Sequence, residues 1–264
     1  MNRPIGVFDS GLGGLTVLRS LIDLLPDEPV VYFGDTGRFP YGPKPRDEVL
    51  KYALEIGDVL VERGARLLVV ACNSAAAAAL DELHEQLPVP VMGVIEPGLR
   101  AALQATRTGR VGVIGTVGTI ASGAYQETAR RLGSPVALAC AACPGFVEFV
   151  EGGDVDSDQA HVLAERLLAP VRAAGVDTLV LGCTHYPLLA RTISDVMGRD
   201  VVLVSSADET AFAVRGLLGE PDAPRRAPRG EHLFITSGDP ATFRRLGARF
   251  LGPEVEHVET WSWS

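Results

Sequence analysis

Lysine is nearly missing from this chain. Of 24 basic residues only Lys44 and Lys51 are lysines, and both lie in or beside a loop dense in proline and glycine. A buried Schiff-base lysine, the anchor that pyridoxal phosphate needs, has no good candidate. Positive charge is short in general. The 24 basic and 33 acidic side chains leave a net charge of −9, which argues against nucleic acid or an anionic membrane as a partner. No apolar run is long enough to cross a bilayer. The chain reads as lacking a signal peptide, since Met1-Asn-Arg-Pro4 leads straight into a strand-like Ile5-Gly-Val-Phe8. Cysteine is limited to Cys72, Cys140, Cys143 and Cys183. In that setting they are expected to be free thiols in a reducing cytoplasm. Cys140 and Cys143 have CxxC spacing, but no second CxxC and no histidine pair at ligand spacing accompanies them. They are read as structural cysteines, and no metal site is expected.

What the chain does have is two matching stretches. Leu67-Leu-Val-Val-Ala-Cys72-Asn-Ser-Ala75 and Thr178-Leu-Val-Leu-Gly-Cys183-Thr-His-Tyr-Pro187 are both short apolar runs ending in cysteine and then small or polar residues. Such runs read as strands buried on both faces of a parallel sheet. The exit of such a strand, where a helix begins, is where α/β proteins place their chemistry. The alanines from Ala75 onward favour a helix after Cys72, and Pro187 suits a first helical turn after Cys183. A thiol at a helix start lies in positive potential, which favours the thiolate over an ordinary pKa of about 8.5.

With 264 residues, 47% of them hydrophobic, the chain can build two lobes of about a hundred residues each. Strands are predicted at 5–8, 30–33, 67–72, 89–91, 111–115, 136–139, 178–182, 201–204, 232–236 and 255–258. Helices are predicted near 15–25, 47–63, 75–86, 99–105, 125–132, 158–174, 188–197, 207–218 and 240–250. Val111-Gly-Val-Ile-Gly-Thr116 restarts the pattern of Ile5-Gly-Val-Phe-Asp-Ser10, and each start is followed at nearly equal separation by a cysteine-bearing strand. This order implies duplicated architecture. The predicted fold is α/β, with two similar lobes whose parallel-sheet cores face each other across a cleft about a pseudo-two-fold. The first lobe is expected at 1–97 and the second at 98–207, with 208–264 returning to the first. The charged, proline-rich 221–228 reads as a linker or surface loop.

The turn Asp9-Ser10-Gly11-Leu-Gly13-Gly14 fits neither glycine-rich phosphate fingerprint. Close approach to a small anion and a merely tight turn are equally good readings of it. The loop at 34–45 is long enough to be a lid or binding loop. His84, His161, His232 and His257 sit among surface-type residues, Glu96 reads as a structural carboxylate, and Trp261-Ser-Trp263-Ser264 reads as a frayed end or contact patch.

Several motifs together resemble glutamate racemases, of the aspartate/glutamate racemase superfamily. They are Gly6-Val-Phe-Asp-Ser-Gly-Leu-Gly-Gly14, Tyr32-Phe-Gly-Asp-Thr36 with Pro40-Tyr-Gly42, Ala71-Cys-Asn73, Gly93-Val-Ile-Glu-Pro-Gly98 and Leu181-Gly-Cys-Thr-His-Tyr-Pro187. Ser74 stands where the family usually has threonine, and it keeps the hydroxyl. The resemblance implies cofactor-independent interconversion of L- and D-glutamate, supplying D-glutamate for peptidoglycan. By the same resemblance Cys72 and Cys183 are the acid/base pair, and Asp9, His185 and Glu151 assist proton transfer. Substrate contacts then fall on Asp9, Ser10, Tyr41, Gly42, Asn73, Ser74, Thr184 and His185. Glutamate is the expected partner. Homodimers are common in the family, and the sequence leaves oligomeric state open. Alternatives are an aspartate racemase or related decarboxylase, and a two-lobed small-molecule binding protein with unreactive cysteines.

Overall fold

The computed structural model describes residues 3–219, 232–255 and 257–263. The predicted linker at 221–228 lies outside them. The first part of the chain runs β1 (Ile5–Asp9), α1 (Leu15–Leu24), β2 (Val30–Gly34), α2 (Arg46–Glu62), β3 (Leu67–Val70), α3 (Asn73–Gln86), β4 (Val91–Gly93) and α4 (Ile95–Ala105). The second follows with β5 (Arg110–Gly115), α5 (Val117–Ala121), α6 (Ala124–Arg131), β6 (Ala137–Ala142), α7 (Phe146–Gly152), α8 (Asp158–Ala173) and β7 (Thr178–Gly182). A 3₁₀ turn (Tyr186–Leu189), α9 (Ala190–Met197), β8 (Val202–Ser205) and α10 (Ser206–Leu218) complete it. The chain ends with β9 (His232–Thr236), α11 (Pro240–Gly247) and β10 (Val258–Thr260).

These strands form two sheets, ordered β10-β9-β2-β1-β3-β4 and β6-β5-β7-β8. Every strand pair is parallel. The run β2-β1-β3-β4 has the same winding as β6-β5-β7-β8, so the duplication read from order and spacing is a duplication of topology. β9 and β10 extend the first sheet beside β2.

Both faces of each sheet are covered, which is why the strands read as unbroken apolar runs. Along β3, Leu67 and Val69 pack on the α1, α10 and α11 side, while Leu68 and Val70 pack on the α2 and α3 side. The cluster under α2 and α3 also takes in Val111, Val113, Val180 and Tyr125 of the second lobe. The two lobes therefore share apolar core as well as a cleft. The other face of the second sheet, with Leu179 and Leu181, packs against Leu168, Val171 and Ile193 of α8 and α9.

Several elements differ from expectation. α4 starts at Ile95 rather than near 99, because proline within a first helical turn forfeits an N–H that would have no partner there. The last strand is β10 at Val258–Thr260 rather than 255–258, because Val255 is spent in the core beside α11. α5, a short helix capped by the Thr116 hydroxyl, has too little periodicity to be read from sequence.

Candidate active site

Cys72 and Cys183 occupy equivalent places, just beyond β3 and β7, and both line one cleft. Asp9 ends β1 and Thr116 follows β5, so the carboxyl ends of both sheets meet at this cleft. Two lobes of like winding that meet by the same ends are related by a pseudo-two-fold. The cavity encloses about 630 Å³, open solvent at its mouth included, and residues of both lobes line it.

Every substrate-contact residue expected from resemblance, Asp9, Ser10, Tyr41, Gly42, Asn73, Ser74, Thr184 and His185, lines the cleft. Glu151 does not. It stands behind His185, bonded to it, and faces a neighbouring cavity.

Cys72 caps α3. Its Sγ accepts from the Ala75 amide at 3.5 Å and donates to Ser10 Oγ at 3.6 Å. The helix start was expected to lower this thiol's pKa. Instead burial, with the nearby charge of Asp9, pushes it up to about 12, against the opposing pull of the Ala75 and Ser10 bonds. Desolvation outweighs a helix terminus when a group is fully buried. The Cys183 Sγ lies 3.9 Å from His185 Nδ1, and His185 Nε2 lies 2.8 Å from Glu151 Oε1. Burial pushes the His185 imidazole down, but Cys183, Glu151 and Asp9 outweigh it and raise its pKa to about 10. The ring lies between Phe39, at 6.0 Å, and Phe250, at 5.8 Å. The two thiols are thus differently dressed, one beside a carboxylate and one beside an imidazolium.

Asp9 is wholly buried. It accepts from the Gly11 amide at 2.8 Å and from Thr184 Oγ1, across the lobes, at 3.4 Å. Burial raises its carboxyl pKa, while His185, Gly11, Gly14 and Thr184 pull it back. On the other side Asn73 Nδ2 donates to Tyr125 OH at 3.1 Å, and the Ser74 hydroxyl lies 2.9 Å from that of Thr116. Asn73 Oδ1 is buried and without a partner among the described residues, which suits a cationic ligand group. The amides of Asn73 and Ser74 open α3, where N–H groups lack an intrahelical carbonyl. They suit a carboxylate. No lysine or arginine lines the cleft among the described residues.

The structure adds a third role for the glycine turn to the two readings given above. A Cβ on Gly13 would lie 2.3 Å from Thr184 Oγ1 and 2.5 Å from His185 Nδ1. Gly13 lets the first lobe press directly on the second-lobe site residues. Sequence reasoning also missed Thr116, although the repeat sets it opposite Ser10. Phe39 and Cys143, which line the cleft as well, carried no signal. Cys140 packs beside the shared core and Cys143 in the second-lobe core. All four cysteines are free, and no cluster of three or more potential metal ligands occurs among the described residues. No helix among them is long and apolar enough to cross a membrane.

Fold and cleft together define a class, a two-lobed α/β protein that presents one thiol from each lobe to a single small-molecule site. The chain belongs to the Asp/Glu/hydantoin racemase family, whose profile matches residues 5–214. It is 54% identical to the glutamate racemase of Acidothermus cellulolyticus, over 98% of this chain and 99% of that one. It is similar to a solved glutamate racemase isoform from Bacillus anthracis, at 40% identity and a TM-score of 0.92, with 100% of this chain and 98% of that one covered. A glutamate racemase from Francisella tularensis, solved in complex with D-glutamate, is 33% identical at a TM-score of 0.91, over 99% and 98% of the two chains.

Proposed function

We propose that this chain interconverts L- and D-glutamate without a cofactor, using Cys72 and Cys183 as a pair of acid/base groups. One observation carries the reading: each lobe delivers a thiol from the equivalent strand end into the same cleft. The similarity to glutamate racemases over nearly the whole chain supports it. Racemisation takes the Cα proton from one face and returns a proton to the other. That requires a base and an acid on opposite sides of one carbon, each able to take either role.

In the forward direction one sulfur, as thiolate, takes the Cα proton and becomes a thiol. The electron pair left on Cα spreads into the adjacent carboxylate. The opposite thiol then gives its proton to the other face and becomes the thiolate, ready for the reverse direction. The imidazolium of His185 is a natural counter-ion for a negative sulfur at Cys183. Glu151 holds that imidazolium, and Asp9 supplies a carboxylate on the Cys72 side. The amides that open α3, with the hydroxyls of Ser10, Ser74 and Thr184, receive substrate carboxylate and the charge that develops on it. Asn73 Oδ1 receives the substrate ammonium, and Tyr41 and Gly42 close the wall. Residues 1–97 and 98–207 act as the two thiol-bearing units, with 208–264 completing the first. The D-glutamate made in this way supplies peptidoglycan synthesis in the cytoplasm.

Circular dichroism of L-glutamate and of L-aspartate incubated with the pure protein tests the reading. Loss of the glutamate signal to zero, with aspartate unchanged, is expected. Replacing either thiol, Cys72→Ala or Cys183→Ala, is expected to slow the loss by about 10²–10⁴-fold or more. Normal racemisation by either variant refutes the two-thiol scheme.

A further inference from the structure

The described chain ends on residues that reach back toward the cleft wall. Asp35 is fully buried. Its carboxylate accepts from Arg38 Nε at 2.7 Å, Ser237 Oγ at 2.6 Å, Trp263 Nε1 at 3.1 Å and the Tyr41 hydroxyl. The Arg38 guanidinium lies between two aromatic faces, 3.7 Å from the Trp263 ring centroid and 3.9 Å from that of Tyr52. Trp263 packs on Phe33 of β2 at 5.5 Å, and Trp261 packs on the same ring at 6.3 Å. Tyr41, at the centre of this network, lines the cleft and is 1% exposed. The next residue, Gly42, gives its carbonyl to the Gly118 amide of the second lobe at 2.9 Å. The segment from 35 to 42 is therefore held at one end by the tail and at the other by the opposite lobe.

We propose that Trp263 is a positioning residue for the proposed reaction: through Arg38 and Asp35 it fixes Tyr41 and Gly42 in the cleft wall, and so sets how tightly the substrate is held. The inference rests on the glutamate reading for its substrate and not for its mechanism. A buried carboxylate with four donors holds each of them to a narrow geometry, because charge-assisted hydrogen bonds are directional and strong. Removing one donor leaves Asp35 under-satisfied, and removing a stacking face loosens Arg38, which Glu55 and Tyr52 still hold. Both losses are passed to the phenol of Tyr41, which shares the carboxylate. In the proposed site Tyr41 forms part of the cleft wall and takes no part in proton transfer, so its loosening is expected to weaken ground state and transition state together.

The variant Trp263→Phe keeps the ring on Phe33 and Arg38 but removes the donor to Asp35. Trp261→Phe is the control, since Trp261 Nε1 has no hydrogen-bond partner among the described residues. Trp263→Phe is expected to raise KM for glutamate roughly three- to tenfold with kcat within about twofold, and Trp261→Phe to change neither. Combined with Tyr41→Phe, which deletes the phenol itself, Trp263→Phe is expected to add little, because both act through Asp35. Hydrogen exchange of the amides at 35–43 reads the clamp without substrate and is expected to quicken in Trp263→Phe alone. Unchanged KM with unchanged exchange in Trp263→Phe overturns the proposal, as does full additivity with Tyr41→Phe. Quickened exchange in Trp263→Phe, together with a wild-type protein that does not turn over glutamate, keeps the clamp and removes the substrate assignment instead.

Discussion

His185 carries the positive charge of the cleft. It is 2% exposed and stays protonated because Cys183, Glu151 and Asp9 surround it with acceptors and negative charge. The linkage to stability has a definite sign. The ordinary imidazole value is 6.5, and the folded value is pushed up to about 10. The stabilisation from this group is fully present below about pH 6.5 and is lost as pH rises toward about 10. The buried thiol of Cys72, raised from 9.0 to about 12, acts in the same direction at still higher pH. Thermal melts are therefore expected to fall steadily from neutral pH upward, and His185→Asn to flatten that fall between about pH 7 and 9. A variant melting curve that keeps the wild-type slope contradicts the assignment. Glu151→Gln removes one of the charges that hold the proton on His185, so the alkaline limb of the rate profile is expected to move to lower pH with its shape retained. At this scale the sequence was partly legible. The two cysteines stood out because their surroundings repeat. The effect of burial on Cys72 could not be read, since helix-start chemistry is local and desolvation is a property of the packed fold. Glu151 entered only by resemblance, because nothing near it in the chain signals that it lies 2.8 Å from an imidazole 34 positions away.

The glycine turn between β1 and α1 shows how an element can be legible in form and illegible in purpose. Its glycines marked a turn, and a turn is present. What requires Gly13 is the neighbouring lobe, whose Thr184 and His185 come within 2.3 and 2.5 Å of a notional Cβ. Gly13→Ala is expected to push the lobes apart and cost about 1–3 kcal/mol of stability, the usual range for overpacking. The same displacement loosens the Thr184 contact to Asp9, so kcat/KM is expected to fall by more than the stability loss implies. Kinetics measured well below the melting temperature separate the two, and wild-type kcat/KM in a folded Gly13→Ala chain contradicts the close-approach role. Thr116 is the companion case. Its hydroxyl caps α5 and meets that of Ser74 across the lobes at 2.9 Å, yet a threonine after a strand has many bland explanations. The closing tryptophans, read from sequence as a frayed end or a contact patch, are the latter: both rings pack on Phe33 and Trp263 donates to Asp35.

Across the whole molecule, the architecture follows from two apolar cysteine-bearing strands and the repeated order around them. Parallel sheets demand cover on both faces, and the helices between strands provide it in each lobe. The chain order therefore carried the fold class, and the identical winding of the two sheets follows from it. The join between lobes was not legible, because it consists of side chains such as Tyr125 and Val180 that complete a core begun in the other half. That shared core holds two chemically different thiols that line one cleft, Cys72 near Asp9 and Cys183 near His185. The most direct test of this account is the fate of the Cα proton when the protein turns over glutamate in deuterium oxide. From either enantiomer, the newly formed product is expected to carry deuterium at Cα while unreacted substrate keeps its proton. Labelled product is expected to disappear in Cys72→Ser and in Cys183→Ser. Product that retains the original proton, or labelled product of inverted configuration that still forms after the loss of either sulfur, contradicts a mechanism with one thiol on each face.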